Sequence, residues 1–140
     1  TFIGHSNLFF GRVKKSGDQA GVVFRDGFEM PMENLSPEAE DGMEVVISVR
    51  PEELSIQEDG LPCKVQTKVF LGKYINYSLG FSDDMILPHQ ASIEFSQDLG
   101  HATRQLEVGD TVRLRPNARK VNIFTVDGAR NILKDVVRYE

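Results

Sequence analysis

Apolar residues in this chain come in brief alternating runs, and Gly, Asp or Pro breaks each run before it grows long. The clearest is Glu44 to Arg50, where Val45, Ile47 and Val49 point one way and Glu44, Ser48 and Arg50 the other, with Val46 the exception. A period of two marks a strand with one buried face. Lys64 to Phe70 repeats it, with Lys64, Gln66 and Lys68 out and Val65, Thr67 and Val69 in. Tyr74 to Phe81 sets Ile75, Tyr77 and Leu79 on one face. Further strands are expected at Asn7 to Lys14, Ala20 to Arg25, Phe28 to Met32, Ile86 to Pro88, Ser92 to Phe95, around Val112 and Leu114, and at Val121 to Val126.

The interruptions carry their own information. Asp26-Gly27, Asp59-Gly60-Leu61-Pro62, Val108-Gly109-Asp110 and Asp127-Gly128 read as turns. Gly11 reads as a bulge or a close approach of two backbones, and Gly72 as a bend between strands. In Leu35 to Asp41, Ser36 as N-cap and Pro37 at the first helical position predict a single helical turn. The tail from Ile132 to Tyr139 fits a short helix, on Ile132, Leu133, Val136 and Val137, as well as it fits a strand. About ten short strands at this spacing, with little helix, predict an all-β chain closed as a small barrel or a pair of barrels. Closure removes the free edges that short strands otherwise expose.

Composition narrows the function. The chain has 140 residues, 40% apolar and 26% charged, so it is long enough and apolar enough for a real core. Its net charge of −5 argues against a nonspecific nucleic-acid binder, because phosphate contacts need clustered Lys and Arg. Lys14-Lys15 and the group Arg113, Arg115, Arg119 and Lys120 read as solvated faces. Cys63 stands alone, which excludes an internal disulfide and points to a structural thiol. The sequence has no apolar run of membrane-spanning length and no visible signal peptide. It opens at Thr1 rather than Met, as expected of a fragment of a longer protein.

The motifs of catalysis are missing. There is no phosphate-cradling G-x-x-x-x-G-K-[ST], no G-x-G-x-x-G and no G-x-S-x-G elbow. The three histidines, His5, His89 and His101, lie far apart, without partners at metal-ligand spacing. No catalytic, cofactor or metal residue is therefore assigned. Acidic residues cluster as Glu38, Glu40 and Asp41, as Glu52, Glu53, Glu58 and Asp59, and as Asp83-Asp84. They read as solvated surface, since paired carboxylates do acid–base work only where their surroundings split their pKa values. Asp83 and Asp84, in a turn between strands, are candidates for contact with a cationic ligand, and His89, in the loop after Pro88, is a separate candidate ligand contact.

Arg50-Pro51-Glu52-Glu53 raises a separate question, because a fixed turn and three charges follow directly on the clearest strand. Pro51 removes an amide donor and stops pairing, and it biases Arg50 toward extended geometry. That geometry suits the Arg50 guanidinium to bidentate binding of a carboxylate.

In chain order, Phe2-Ile3-Gly4, Asn7 and Gly11-x-Val13, then Val49-Arg50-Pro51-Glu52-Glu53-Leu54, then Val69-Phe70-Leu71-Gly72-x-x-Ile75-x-Tyr77, then Leu106-x-x-Gly109-Asp110-x-Val112-x-Leu114, and last Val121-x-Ile123-Phe124 with Asp127-Gly128 together resemble one family. It is the transport-associated OB, or TOBE, domain at the C-terminus of ABC importer ATP-binding subunits. The resemblance implies an OB-like double barrel, with one half formed by residues 1–50 plus the C-terminal strands and the other by residues 51–125. It implies that ATP and Mg are bound upstream in a parent ATPase and that this segment has no cofactor and no catalysis of its own. The implied partners are a second copy of the domain, the transmembrane permease subunits reached through the parent, and a small-molecule or protein regulator, with no nucleic acid. The implied location is the cytoplasm, peripheral to the inner face of the membrane. Arg50, Glu52 and Glu53 then have two competing roles: tying a strand end to neighbouring backbone, or forming the contact between regulatory domains. Phe70, Tyr77 and Phe124 are expected in the core, and Asn7 as an amide that caps backbone. Two other functions are weighed against this one. A free-standing OB-type module would bind an oligonucleotide or small ligand, and a small β-barrel enzyme ranks last for want of any motif.

Overall fold

The structure, a computed structural model, describes residues 5–101 and 104–134. It is all-β, with nine strands in two antiparallel sheets. These are β1 (Asn7–Ser16), β2 (Gln19–Phe24), β3 (Glu29–Pro31), β4 (Glu44–Val49), β5 (Leu54–Leu71), β6 (Tyr74–Gly80), β7 (Ile93–Asp98), β8 (Thr111–Pro116) and β9 (Asn122–Thr125). The first sheet runs β3-β2-β1-β4-β9 and the second β7-β6-β5-β8. The sheets curl around a shared apolar interior, as in OB-like barrels. No helix among the described residues is long and apolar enough to cross a membrane.

The alternation in β4 builds the first sheet. Val45, Ile47 and Val49 are buried inside, and Val46 is buried on the other face between its cross-strand neighbours Phe10 and Phe124. The side chains of those two neighbours, on β1 and β9, cover Val46 on the second face, which explains the exception in the pattern. The interior is aromatic at its centre: Phe9 meets Phe24 and Phe81 edge-on at 5.7 and 5.2 Å, and Tyr77 stacks on Phe95 at 5.6 Å. Ile75, Tyr77 and Leu79 all face it, as their spacing predicts. Gly11 is a close approach, since a Cβ there would lie 2.6 Å from the Ile47 side chain.

Four expectations need correction. Asp59-Gly60-Leu61-Pro62 is not a turn between strands; it lies inside the long β5, which loses register against β8 between Ile56 and Leu61 and then recovers it. The glycine serves proximity here: a Cβ on Gly60 would sit 2.7–2.9 Å from the backbone of Leu114. The alternation of 64–70 also fails halfway. Val65 pairs with Leu79, but Thr67 pairs with Ser78, leaving Gln66 as an extra residue. One inserted residue sends every later side chain to the opposite face. Lys68 and Phe70 therefore share the face of the buried Tyr77 and Ile75, whereas Thr67 and Val69 turn outward. Phe70, expected in the core, is exposed, and Phe124 is half-buried. Finally, Ser36 caps a turn rather than a helix: its Oγ accepts from the Glu38 amide and its carbonyl from the Ala39 amide, and no helical turn follows. In the tail, Asn131 and Leu133 form bridges to Phe124 and Leu35, as a strand would. Val136, Val137 and the Phe2-Ile3-Gly4 segment lie outside the described residues.

Candidate functional site

The Arg50–Glu53 element is the corner where the chain leaves one sheet for the other. Pro51 opens a single 3-10 turn, Pro51–Glu53, and is itself buried. The Glu53 amide donates to the Arg50 carbonyl at 2.9 Å. β5 begins at the next residue, with Leu54 opposite Pro116 of β8. The Glu53 carbonyl accepts from the Asn117 amide at 2.9 Å, and the Asn117 side chain reaches the Glu53 carboxylate at 3.4 Å. The Arg50 Nε lies 3.5 Å from the Glu52 carboxylate, so this ion pair closes within the turn. Beside it is an open cleft of about 460 Å³, with Glu52 and Glu53 on one wall and Arg115 and Arg119 on the other. Arg115 is drawn to Asp59 and lies over the Phe28 ring. Walls of opposite sign favour no single ligand charge.

Asp83, Asp84 and His89 lie on the connection from β6 to β7, which runs along the first half of β1. The Phe10 amide donates to the Met85 carbonyl and the Leu87 amide to the Leu8 carbonyl. The Gln90 side chain mimics a paired strand residue: it accepts from the Leu8 amide at 3.0 Å and donates to the Leu8 carbonyl at 2.9 Å. Asp83 and Asp84 are exposed in a turn closed from the Met85 amide to the Ser82 carbonyl. His89 is also exposed, with φ at +67°, the one non-glycine residue of positive φ among those described. No hydrogen bond or ion pair among the described residues joins the two carboxylates to the imidazole, and no group of three or more His, Cys, Asp or Glu gathers there to hold a metal. Cys63 is inert as a nucleophile, because burial pushes its thiol up to about 12.

Two buried polar devices hold the sheets in place. Asn7, expected to cap backbone, does so across the sheets: its amide donates to the Glu94 carbonyl at 2.7 Å and accepts from the Glu94 amide at 2.8 Å. The second escapes sequence reasoning. Tyr77 donates its hydroxyl to Gln97 at 2.8 Å and accepts from the Leu106 amide at 3.1 Å, while Gln97 donates to the Arg104 carbonyl. These bonds pin the segment before β8 against the interior. A polar Gln in the alternating run of β7 was the available signal.

A surface at the β5–β6 turn was also missed. Val69, Phe70, Leu71 and Tyr74 are 49, 59, 58 and 49% exposed, and Leu99, bonded through its amide to the Lys73 carbonyl, is 36% exposed. A Val-Phe-Leu run ending a strand at a glycine turn is a legible signal, but alternation sets Val69 inward and the family resemblance sets Phe70 in the core.

Known proteins align with this architecture. The family model for the TOBE domain matches residues 47–124, from the middle of β4 into β9 and more than half of the chain. The "Fe(3+) ions import ATP-binding protein FbpC" of Fusobacterium nucleatum subsp. nucleatum is 34% identical over 97% of this chain. The chain spans 34% of that relative's length.

Proposed function

Because the chain belongs to the TOBE domain family, we propose that it is the regulatory and dimerising module of an ABC importer's ATP-binding subunit and modulates solute uptake driven by ATP hydrolysis elsewhere in the parent. The observation that carries this reading is the extent of the likeness. Identity to an importer ATP-binding protein runs over nearly the whole chain and takes in both sheets, not one motif. The relative's name makes ferric iron the solute we assign to the parent. In this reading the domain has no catalysis and no cofactor of its own. It acts in the cytoplasm at the inner face of the membrane, where the parent meets its permease subunits. The Arg50–Glu53 corner then sets the angle between the two sheets, and through it the placement of whatever each sheet touches.

The test has two arms. The isolated chain, purified without a tag, is assayed for ATP hydrolysis, and the expected result is none. The full-length subunit, assembled with its permease, is compared with a version ending before this domain. Hydrolysis is expected to persist while its coupling to iron uptake changes. Turnover by the isolated chain, or uptake indifferent to the deletion, overturns the proposal.

A further inference from the structure

Among the described residues, the second half of β5 is paired along one side only. β5 pairs with β8 only as far as Lys64 opposite Thr111, and Val65 completes that edge by bonding to Asp110 and Gly109. From Thr67 to Leu71, β5 pairs with β6 on one side. Among the described residues no strand pairs with the other side. The turn sets which backbone groups point there. Leu71 and Tyr74 flank a two-residue loop, with φ of +66° at Gly72 and no positive φ at Lys73, which is a type II′ hairpin. In such a hairpin the flanking pair bonds to each other, and the alternation of an antiparallel ladder then aims the amides and carbonyls of Phe70 and Lys68 away from β6. An unpaired edge bordered by exposed Val69, Phe70 and Leu71 is a template for another strand.

We propose that a second copy of this chain occupies that edge, with two β5 strands pairing antiparallel about a two-fold axis at Val69. This rests on the dimerising role proposed above and names the surface that would perform it. The register follows from bonding and charge. Centring the axis on Val69 sets Lys68 opposite Phe70 of the other copy twice, so all four outward amide and carbonyl pairs bond. Centring it on Lys68 would oppose two ammonium groups, and centring it on Phe70 would leave the Lys68 backbone facing a turn. The chosen register also suits the side chains. Lys68 is already held by Glu107 at 2.8 Å and lies 5.3 Å from its own Phe70 ring. Across the axis it meets a second Phe70 ring rather than a cation. On the outer face Val69 meets Val69, and each Leu71 meets Thr67. The contact is short, so the pairing is reversible in the isolated chain and strengthened where a longer protein already holds two copies together.

The register gives a sharp test. Residues on the axis form a non-hydrogen-bonded pair, with Cα atoms about 4.5 Å apart, close enough for a disulfide. The full chain carrying Val69→Cys is treated with copper–phenanthroline as oxidant, beside Thr67→Cys and Leu71→Cys, and products are read on non-reducing gels. Buried Cys63 supplies a low background in all three. The expected result is a covalent dimer from Val69→Cys alone, with cross-linking restored when Thr67→Cys and Leu71→Cys chains are mixed. In sedimentation, Phe70→Lys, which sets a second ammonium opposite Lys68 of the other copy at both pairs, is expected to weaken self-association by about tenfold or more, while its melting temperature stays that of the parent chain. A dimer whose cross-links centre elsewhere overturns the edge pairing but leaves a dimerising module standing. A concentration-independent monomer with no Val69 cross-link overturns the edge and the dimerising role together. Cross-linking at Val69 supports the edge even if deleting the domain leaves uptake unchanged, a result that would remove the regulatory role instead.

Discussion

At the turn after β9, polar groups consume one another. The Thr125 hydroxyl and the Ala129 amide both donate to the Asp127 carboxylate, the Arg130 amide donates to the Thr125 hydroxyl, and the Gly128 amide donates to the Thr125 carbonyl. At the turn between β5 and β6 the flanking residues are Phe70, Leu71 and Tyr74, and they spend their side chains on solvent. Both turns place a glycine at positive φ, +74° at Gly128 and +66° at Gly72. The backbone requirement is therefore met equally well with either set of neighbours, and the apolar set is not needed to make the turn. A feature that folding does not require, and that costs solubility, points to an interaction beyond this chain.

Gly60 inside β5 and Gly72 just beyond it sharpen the contrast between the strand's halves. Gly60 lies where β5 is sandwiched against β8, and Gly72 follows its free half. Gly60→Ala forces a methyl into the Leu114 backbone, which must shift, and is expected to destabilise the chain by about 3 kcal/mol. Gly72→Ala meets nothing within 4 Å and costs only the positive φ, about 1–2 kcal/mol. Urea unfolding of the two variants reads the difference directly. Equal losses would mean that the free half of β5 is as constrained as the paired half.

Tyr77 ranks next. Its ring belongs to the core, but its hydroxyl serves the segment before β8. Tyr77→Phe keeps the ring and strands the Leu106 amide and the Gln97 carbonyl oxygen, so a loss of about 1–2 kcal/mol is expected. Hydrogen exchange should rise first at Leu106. A variant as stable as the parent, with Leu106 still protected, would show that packing alone seats that segment.

How much of this was legible in the sequence depends on what sets each feature. Strand positions and their turns were readable in β1, β4 and β6, because period two and glycine punctuation are local. Asn7 was readable as a capping amide, though not the strand it would cap. The flip at Gln66 was not readable, since a bulge depends on the register of the partner strand, and nothing within 64–70 announces it. The same holds for Gly60, whose neighbour Leu114 is remote in sequence. The Arg50–Glu53 run was readable as a stop, and the structure adds that it joins two sheets. Asp83-Asp84 reads as an acidic turn and His89 as a separate loop residue, and among the described residues no hydrogen bond or ion pair joins them.

The Asp127 turn offers the smallest effect and the cleanest sign. Its carboxyl is held below the usual value of 3.8, first by the Thr125 hydroxyl and then by the Ala129 amide, with Arg130 adding a favourable charge. A folded-state pKa below that of the unfolded chain stabilises the fold above the unfolded value, and that contribution fades as pH falls through the folded one. Asp127→Asn keeps an acceptor oxygen but not the charge. At pH 6 the variant should therefore melt slightly below the parent, and below pH 4 the two should converge. The gap is small because water and salt screen a fully exposed carboxylate. A gap that stays constant from pH 6 to pH 2 would assign the turn's stability to geometry alone, and the polar turn would then differ from the apolar one only in what it shows to solvent.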